Sequence, residues 1–186
     1  MTAEAPAGFA YHADFLTLAE ESALAEEIRG LEFGEVRMHG VVARRRTVHF
    51  GWRYGYESSQ IEPGPPLPEF LWPLRARAAA LVALEPDLFA EVLVTEYPAG
   101  AAIGWHRDAP QFGPIVIGVS LLGACRFRFQ RGQGAARQAY AVSVEPRSAY
   151  VLGGAARSVW QHAISPTKTL RYSVTFRTLR RQQAAG

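Results

Sequence analysis

His106 and Asp108 stand two residues apart, separated only by Arg107, and a second histidine, His162, follows on a later segment of the chain. In extended backbone, residues at i and i+2 project from the same side, so this imidazole and carboxylate can reach one ion together. Two imidazoles and one carboxylate on one face of a metal leave coordination positions open, the arrangement that serves oxygen activation at non-haem Fe(II); zinc favours a more closed site. An H-x-D by itself is a weak signal, because surface histidines and aspartates meet by chance. The reading needs other residues to support it.

The stretch Arg171-Tyr172-Ser173-Val174-Thr175-Phe176-Arg177 supplies that support. Strict alternation puts Arg171, Ser173, Thr175 and Arg177 on one face of a strand and Tyr172, Val174 and Phe176 on the other. If the apolar face packs against a sheet or a covering helix, the arginines face either a polar cavity or water at an edge strand. In a cavity beside a metal, a guanidinium would pair with a dicarboxylate through two charge-assisted hydrogen bonds.

The elements that must hold these groups can be read around them. Thr17-Leu18-Ala19-Glu20 has the form of a capping box and opens a helix expected over about 17–30, with Leu18, Leu24, Ala25, Ile28 and Leu31 near helical spacing. Val36–Tyr56 reads as strands, followed by a rigid proline-rich loop, Glu62–Pro68. A second helix is expected from about Phe70 to before Pro86, with Pro73 marking an early kink or break. From Glu91 onward, short β-type runs alternate with glycine and proline: Val92–Tyr97, Ile115–Leu122, Cys125–Gln130, Tyr140–Val144, Ala149–Leu152, Val159–Ile164 and Arg171–Leu179. The fold class expected is mainly β with flanking helices (α+β), an antiparallel barrel or jelly roll. Gly132-Gln133-Gly134 lacks the lysine and helix of a phosphate loop and reads as a hairpin turn. Cys125, the one cysteine, alternates with Phe127 and Phe129 and reads as core.

At 186 residues with 48% hydrophobic content, the chain suits one domain, with 1–90 as helices and substrate lid and 91–180 as the catalytic core. No basic leader and no long apolar run are present, so a cytoplasmic protein with no membrane span is expected, working as a monomer. The net charge is +3, and Lys168 is the single lysine among twenty basic residues. Arginine's planar fork suits phosphates and bases, which favours a nucleic-acid partner, although an ordinary solvated face gives the same composition. Arg44-Arg45-Arg46 with His49, Phe50, Trp52, Tyr54 and Tyr56 interleaves cations with stacking surfaces, as single strands require; the aromatics two apart equally fit one packed strand face. Trp105, beside His106, either walls a pocket or packs. Arg45, Trp52, Tyr54 and Trp105 are therefore candidate substrate contacts.

Taken together, Tyr97-Pro98-Ala99-Gly100, His106-Arg107-Asp108, His162 and the Arg171 to Arg177 pair resemble the AlkB family in order and spacing, over residues 91–180. The resemblance implies a double-stranded β-helix (jelly-roll) dioxygenase that uses Fe(II), 2-oxoglutarate and O2. His106, Asp108 and His162 would bind the iron. Arg171 would grip the far carboxylate of 2-oxoglutarate with help from Tyr97, and Arg177 would sit near the metal-side carboxylate and Asp108. Thr95 and Ser173 stand where the family often has asparagine and keep only part of that hydrogen-bonding capacity. The activity implied is oxidative demethylation of alkylated DNA or RNA bases, with release of succinate, CO2 and formaldehyde. The alternatives are a tRNA nucleoside hydroxylase or demethylase, or a demethylase of methylated protein side chains. A base inside a duplex would have to be flipped out to reach such a site.

Overall fold

The structure, a computed structural model, describes residues 4–38, 40–55 and 60–180, except for the side chains of Met38, 53–55 and Gln60. The Tyr54 side chain and Tyr56, both singled out above, lie outside the described residues. Among the described residues, twelve strands and three α-helices follow one another: β1 (Phe9–His12), α1 (Leu18–Arg29), β2 (Gly34–Met38), β3 (Val41–Gly55), β4 (Gln60–Pro63), α2 (Trp72–Ala80), β5 (Glu91–Tyr97), β6 (Ile103–His106), β7 (Phe112–Leu121), β8 (Cys125–Arg131), β9 (Gln138–Val144), β10 (Ser148–Leu152), α3 (Gly154–Ser158), β11 (Gln161–Ile164) and β12 (Arg171–Leu179).

These strands form two antiparallel sheets. The larger runs β1-β10-β7-β12-β5-β3-β2, with β4 paired to β3, and the smaller runs β6-β11-β8-β9. Alternation along each strand explains the layering. From the larger sheet, Val92, Val94, Ile117, Val119, Leu121, Tyr172, Val174 and Phe176 point outward, onto a core completed by Ala25 and Ile28 of α1 and by Leu74, Ala78 and Ala79 of α2. On its inner face, Tyr97, Val116, Tyr150 and Leu152 meet Phe127, Phe129 and Ile164 of the smaller sheet. The result is a jelly roll with helices flanking one side.

Local chemistry fixes the helix ends. The Thr17 hydroxyl accepts from the Glu20 amide at 3.2 Å while Glu20 accepts from the Thr17 amide at 2.7 Å, so the capping box forms as read. Such a cap contributes about 1 kcal/mol. Pro73 does not kink a helix. It sits in the first turn of α2, where its missing N–H would have had no helical partner and its fixed φ suits the helix. Four strands are absent from the expected runs or only partly match them: β1, β4 and β6 are four residues each, β4 taking Glu62 and Pro63 from the stretch expected as loop, and β2 carries two charges in five residues. The Val159–Ile164 run is also shortened, because Gly154–Ser158 coils into α3 and leaves only Gln161–Ile164 as strand.

Candidate active site

Between the two sheets opens a cavity of about 520 Å³. β12, lying between β5 and β7 rather than at an edge, presents Ser173, Thr175 and Arg177 to it, and β5 presents Glu91, Leu93, Thr95 and Tyr97. The cavity alternative for the polar face of β12 is thus the one the chain adopts.

His106 ends β6, and its Cα faces that of His162 on β11 across the ladder. Their rings lie 4.3 Å apart between centroids. Asp108 falls in the loop just beyond the strand, so the i, i+2 relation is completed outside the strand, and the ligand atoms of His106, Asp108 and His162 lie within 4.8 Å of one another. Hydrogen bonds aim His106 and Asp108, while the buried Nδ1 of His162 has no partner among the described residues. His106 Nδ1 donates to the Gly104 carbonyl at 2.8 Å, which leaves Nε2 with its lone pair free. Asp108 Oδ1 accepts from Arg177 Nε at 3.2 Å and Nη2 at 2.8 Å, while Oδ2 faces His162 Nε2 at 3.9 Å.

The electrostatics agree with a metal centre. Burial pushes both imidazoles down, and the neighbouring His106 helps bring His162 to about 3, so the pair is neutral and able to donate lone pairs. Burial would raise Asp108, but the Arg177 guanidinium holds it well below the usual carboxylate range. Two neutral imidazoles and one carboxylate oxygen, all freed of competing hydrogen bonds on the side they share, are the donor set that Fe(II) accepts with positions to spare.

Arg171 is fully buried at the start of β12. Its Nε donates to Ser120 Oγ at 2.9 Å, its guanidinium lies 5.0 Å from the Tyr97 ring centroid, and both terminal nitrogens have no hydrogen-bond partner among the described residues. Unmet donors on a buried cation are costly, and a carboxylate is the group that would satisfy them. Arg171 does not itself line the open cavity; Tyr97 and Tyr150 do. Thr95 and Ser173 are buried and directly opposite each other on β5 and β12, both against the cavity.

The remaining candidates separate. Arg45 is buried and lines the cavity, as does Trp105, over which the Arg128 guanidinium packs at 4.9 Å. Trp52 does not reach the cavity: it is 40% exposed in the β3–β4 hairpin. The arginine run does not act as one patch, because strand alternation turns Arg45 inward while Arg44 and Arg46 face outward, Arg46 pairing with Glu96 at 2.7 Å. Sequence reasoning missed Glu91, Tyr150 and Ser120. Glu91 and Tyr97 lie three alternate positions apart on one face of β5, a period-2 signal that was available.

A family model described as the 2OG-Fe(II) oxygenase superfamily matches residues 9–177. The chain belongs to that superfamily, and is a 2-oxoglutarate-dependent dioxygenase that takes Fe(II), 2-oxoglutarate and O2. Within it, the chain is of the AlkB type. It is 27% identical to the tRNA (carboxymethyluridine(34)-5-O)-methyltransferase ALKBH8 of Mus musculus over 88% of this chain and 25% of that protein. It is 26% identical to the alkylated DNA repair protein ALKBH8 homolog of Arabidopsis thaliana over 81% of this chain and 49% of that one. The chain therefore spans a quarter to a half of the length of these relatives. In fold it is similar to OsALKBH1, with a TM-score of 0.73 and 17% identity over 95% of this chain and 99% of that one. It is also similar to a prolyl-4-hydroxylase of Pseudomonas putida, with a TM-score of 0.66 and 19% identity over 93% of each.

Proposed function

We propose that this dioxygenase oxidises an alkyl C–H bond on a modified base of a nucleic acid, with N-demethylation as the leading outcome and hydroxylation of a tRNA nucleoside as the second. The observation that carries the nucleic-acid reading is the outer face of the smaller sheet. There Arg126 and Arg128 project from β8, Arg128 packing on Trp105, which lines the cavity with Arg107. Among the described residues, none of Arg107, Arg126 and Arg128 pairs with a carboxylate. Unpaired arginines and an indole at a cavity mouth suit a phosphate backbone and a base. The relatives whose names refer to tRNA and to alkylated DNA support the same reading.

When bound, the iron and 2-oxoglutarate use O2 to hydroxylate the target carbon, and the cosubstrate leaves as succinate and CO2; an N-hydroxymethyl product then sheds formaldehyde. His106 Nε2, His162 Nε2 and Asp108 Oδ2 would hold the metal. Arg171 would anchor the distal carboxylate of 2-oxoglutarate through its free terminal nitrogens, with the Tyr97 hydroxyl beside it and Thr95 and Ser173 along its flank. Arg45 and Trp105 would bound the space left for the base.

Succinate formation is the test, measured with an N-methylated single-stranded oligonucleotide, with tRNA, with a methylated peptide and with no addition, against His106→Ala. Stimulation by either nucleic acid, with formaldehyde released for the N-methyl substrate, is expected. Stimulation by the peptide alone would overturn the reading. Arg126→Glu with Arg128→Glu should weaken oligonucleotide binding and flatten its salt dependence while leaving unstimulated turnover intact.

A further inference from the structure

Glu91 is fully buried, and its partners come from both neighbouring strands. Its Cα faces that of Arg177 across the β5–β12 ladder. Arg177 Nη1 donates to Glu91 Oε1 at 3.2 Å and to Oε2 at 2.9 Å, and on the other side His49 Nδ1 of β3 lies 3.3 Å from Oε1. Arg177 then spends Nε and Nη2 on Asp108 Oδ1. A guanidinium has five N–H groups, and this arrangement commits four of them to two carboxylates. The whole row, from His49 through Glu91 and Arg177 to Asp108, ends on a proposed metal ligand.

We propose that Glu91 is a positioning residue that reserves Arg177 for Asp108. By holding Nη1 with both oxygens, it orients the guanidinium so that the other edge meets only Oδ1 and leaves Oδ2 open to the metal. It also withholds Nη1 from the cosubstrate, although the resemblance to the AlkB family would place this arginine beside the metal-side carboxylate of 2-oxoglutarate. Without the Glu91 charge, Arg177 closes on Asp108 as a two-oxygen fork and competes with the metal for Oδ2, while its released Nη1 becomes available to 2-oxoglutarate. The inference rests on Fe(II) and 2-oxoglutarate binding at this site. It goes beyond that binding in predicting that one substitution moves the two affinities in opposite directions.

The experiment uses Glu91→Gln, which keeps the side-chain shape and one acceptor, and Glu91→Ala. Co(II), a redox-stable probe, is titrated calorimetrically into the metal-free 186-residue chain, and 2-oxoglutarate is then titrated into the Co(II)-saturated protein. The expected result is a Co(II) Kd raised about tenfold in Glu91→Ala and less in Glu91→Gln, with a 2-oxoglutarate Kd lowered about threefold in both. Unchanged Co(II) affinity would overturn the proposal. So would parallel weakening of both ligands, or loss of the fold in both variants, since either would reduce Glu91 to structural support. If the unsubstituted protein binds neither Co(II) nor 2-oxoglutarate, the site assignment itself fails, and that outcome is distinct from the others.

Discussion

Arg171 and Tyr97 are cross-strand partners, Cα opposite Cα on β12 and β5, and the guanidinium of one lies 5.0 Å from the ring centroid of the other while its two terminal nitrogens have no hydrogen-bond partner among the described residues. A buried arginine kept in this state is held ready for an anion. The ring, the Ser120 hydroxyl and the strand pairing fix its direction in advance, so binding a carboxylate requires little reordering of the side chain.

Arg171→Ala should therefore raise the 2-oxoglutarate KM by roughly 10- to 100-fold, the loss of one charge-assisted pair, with metal binding retained. Arg171→Lys should not restore it, because an ammonium cannot present two parallel donors. Steady-state titration of 2-oxoglutarate checks both, with a thermal melt to confirm that the fold survives. A KM unchanged in Arg171→Ala would remove Arg171 from the site.

Metal binding should fail in Asp108→Ala more completely than a lost ligand alone implies. The substitution also leaves Arg177 buried with Glu91 as its remaining ion-pair partner, which shifts its guanidinium. Co(II) binding followed by calorimetry should show no saturable site in Asp108→Ala and a weakened one in His106→Gln.

The metal-free protein should lose stability in acid. His162 sits near 3 when folded, against an ordinary imidazole value of about 6.5 when unfolded. Between those values the unfolded chain binds a proton that the folded chain does not, so stability falls as pH drops below about 6.5 and goes on falling toward 3, by up to about 1.4 kcal/mol per pH unit. Asp108, lowered when folded, has the same sign: its contribution is present above the ordinary carboxylate value and is lost at lower pH. Urea midpoints measured from pH 7 to pH 4 should show this slope, and His162→Asn should reduce it.

Gly118 and Tyr150 face each other on β7 and β10, and a Cβ at Gly118 would come within 2.2 Å of the Tyr150 ring. Gly118→Ala should cost about 1–3 kcal/mol by overpacking and tilt the phenol into the cavity, weakening 2-oxoglutarate. In a Tyr150→Ala background the same substitution should cost much less, and a double-mutant cycle of melting free energies measures the coupling.

How far the sequence revealed this site depended on the distance over which each signal acted. The face of β12 was legible because alternation is local, and the same holds for the Thr17 cap and for the place of Cys125 in the core. Glu91 and Ser120 escaped because their roles exist only across ladders, 86 and 51 residues away from the arginines they meet. Arg44, Arg45 and Arg46 looked like one basic cluster along the chain, yet the pleat distributes them to opposite faces. Asp108 and His106 do come together, but strand alternation is only half the cause, since Asp108 lies past the strand end and takes its direction from Arg177.

The pairing of His106 with His162 joins β6, one of the two edge strands of the smaller sheet, to its neighbour β11, with the ladder shifting register just beyond that pair. A cation gripped by both imidazoles would act as a rivet on a short, irregular edge. Amide protons of β6 should exchange with solvent slowly in the loaded enzyme and quickly after chelation, so that occupancy of the centre is recorded in the backbone of four residues.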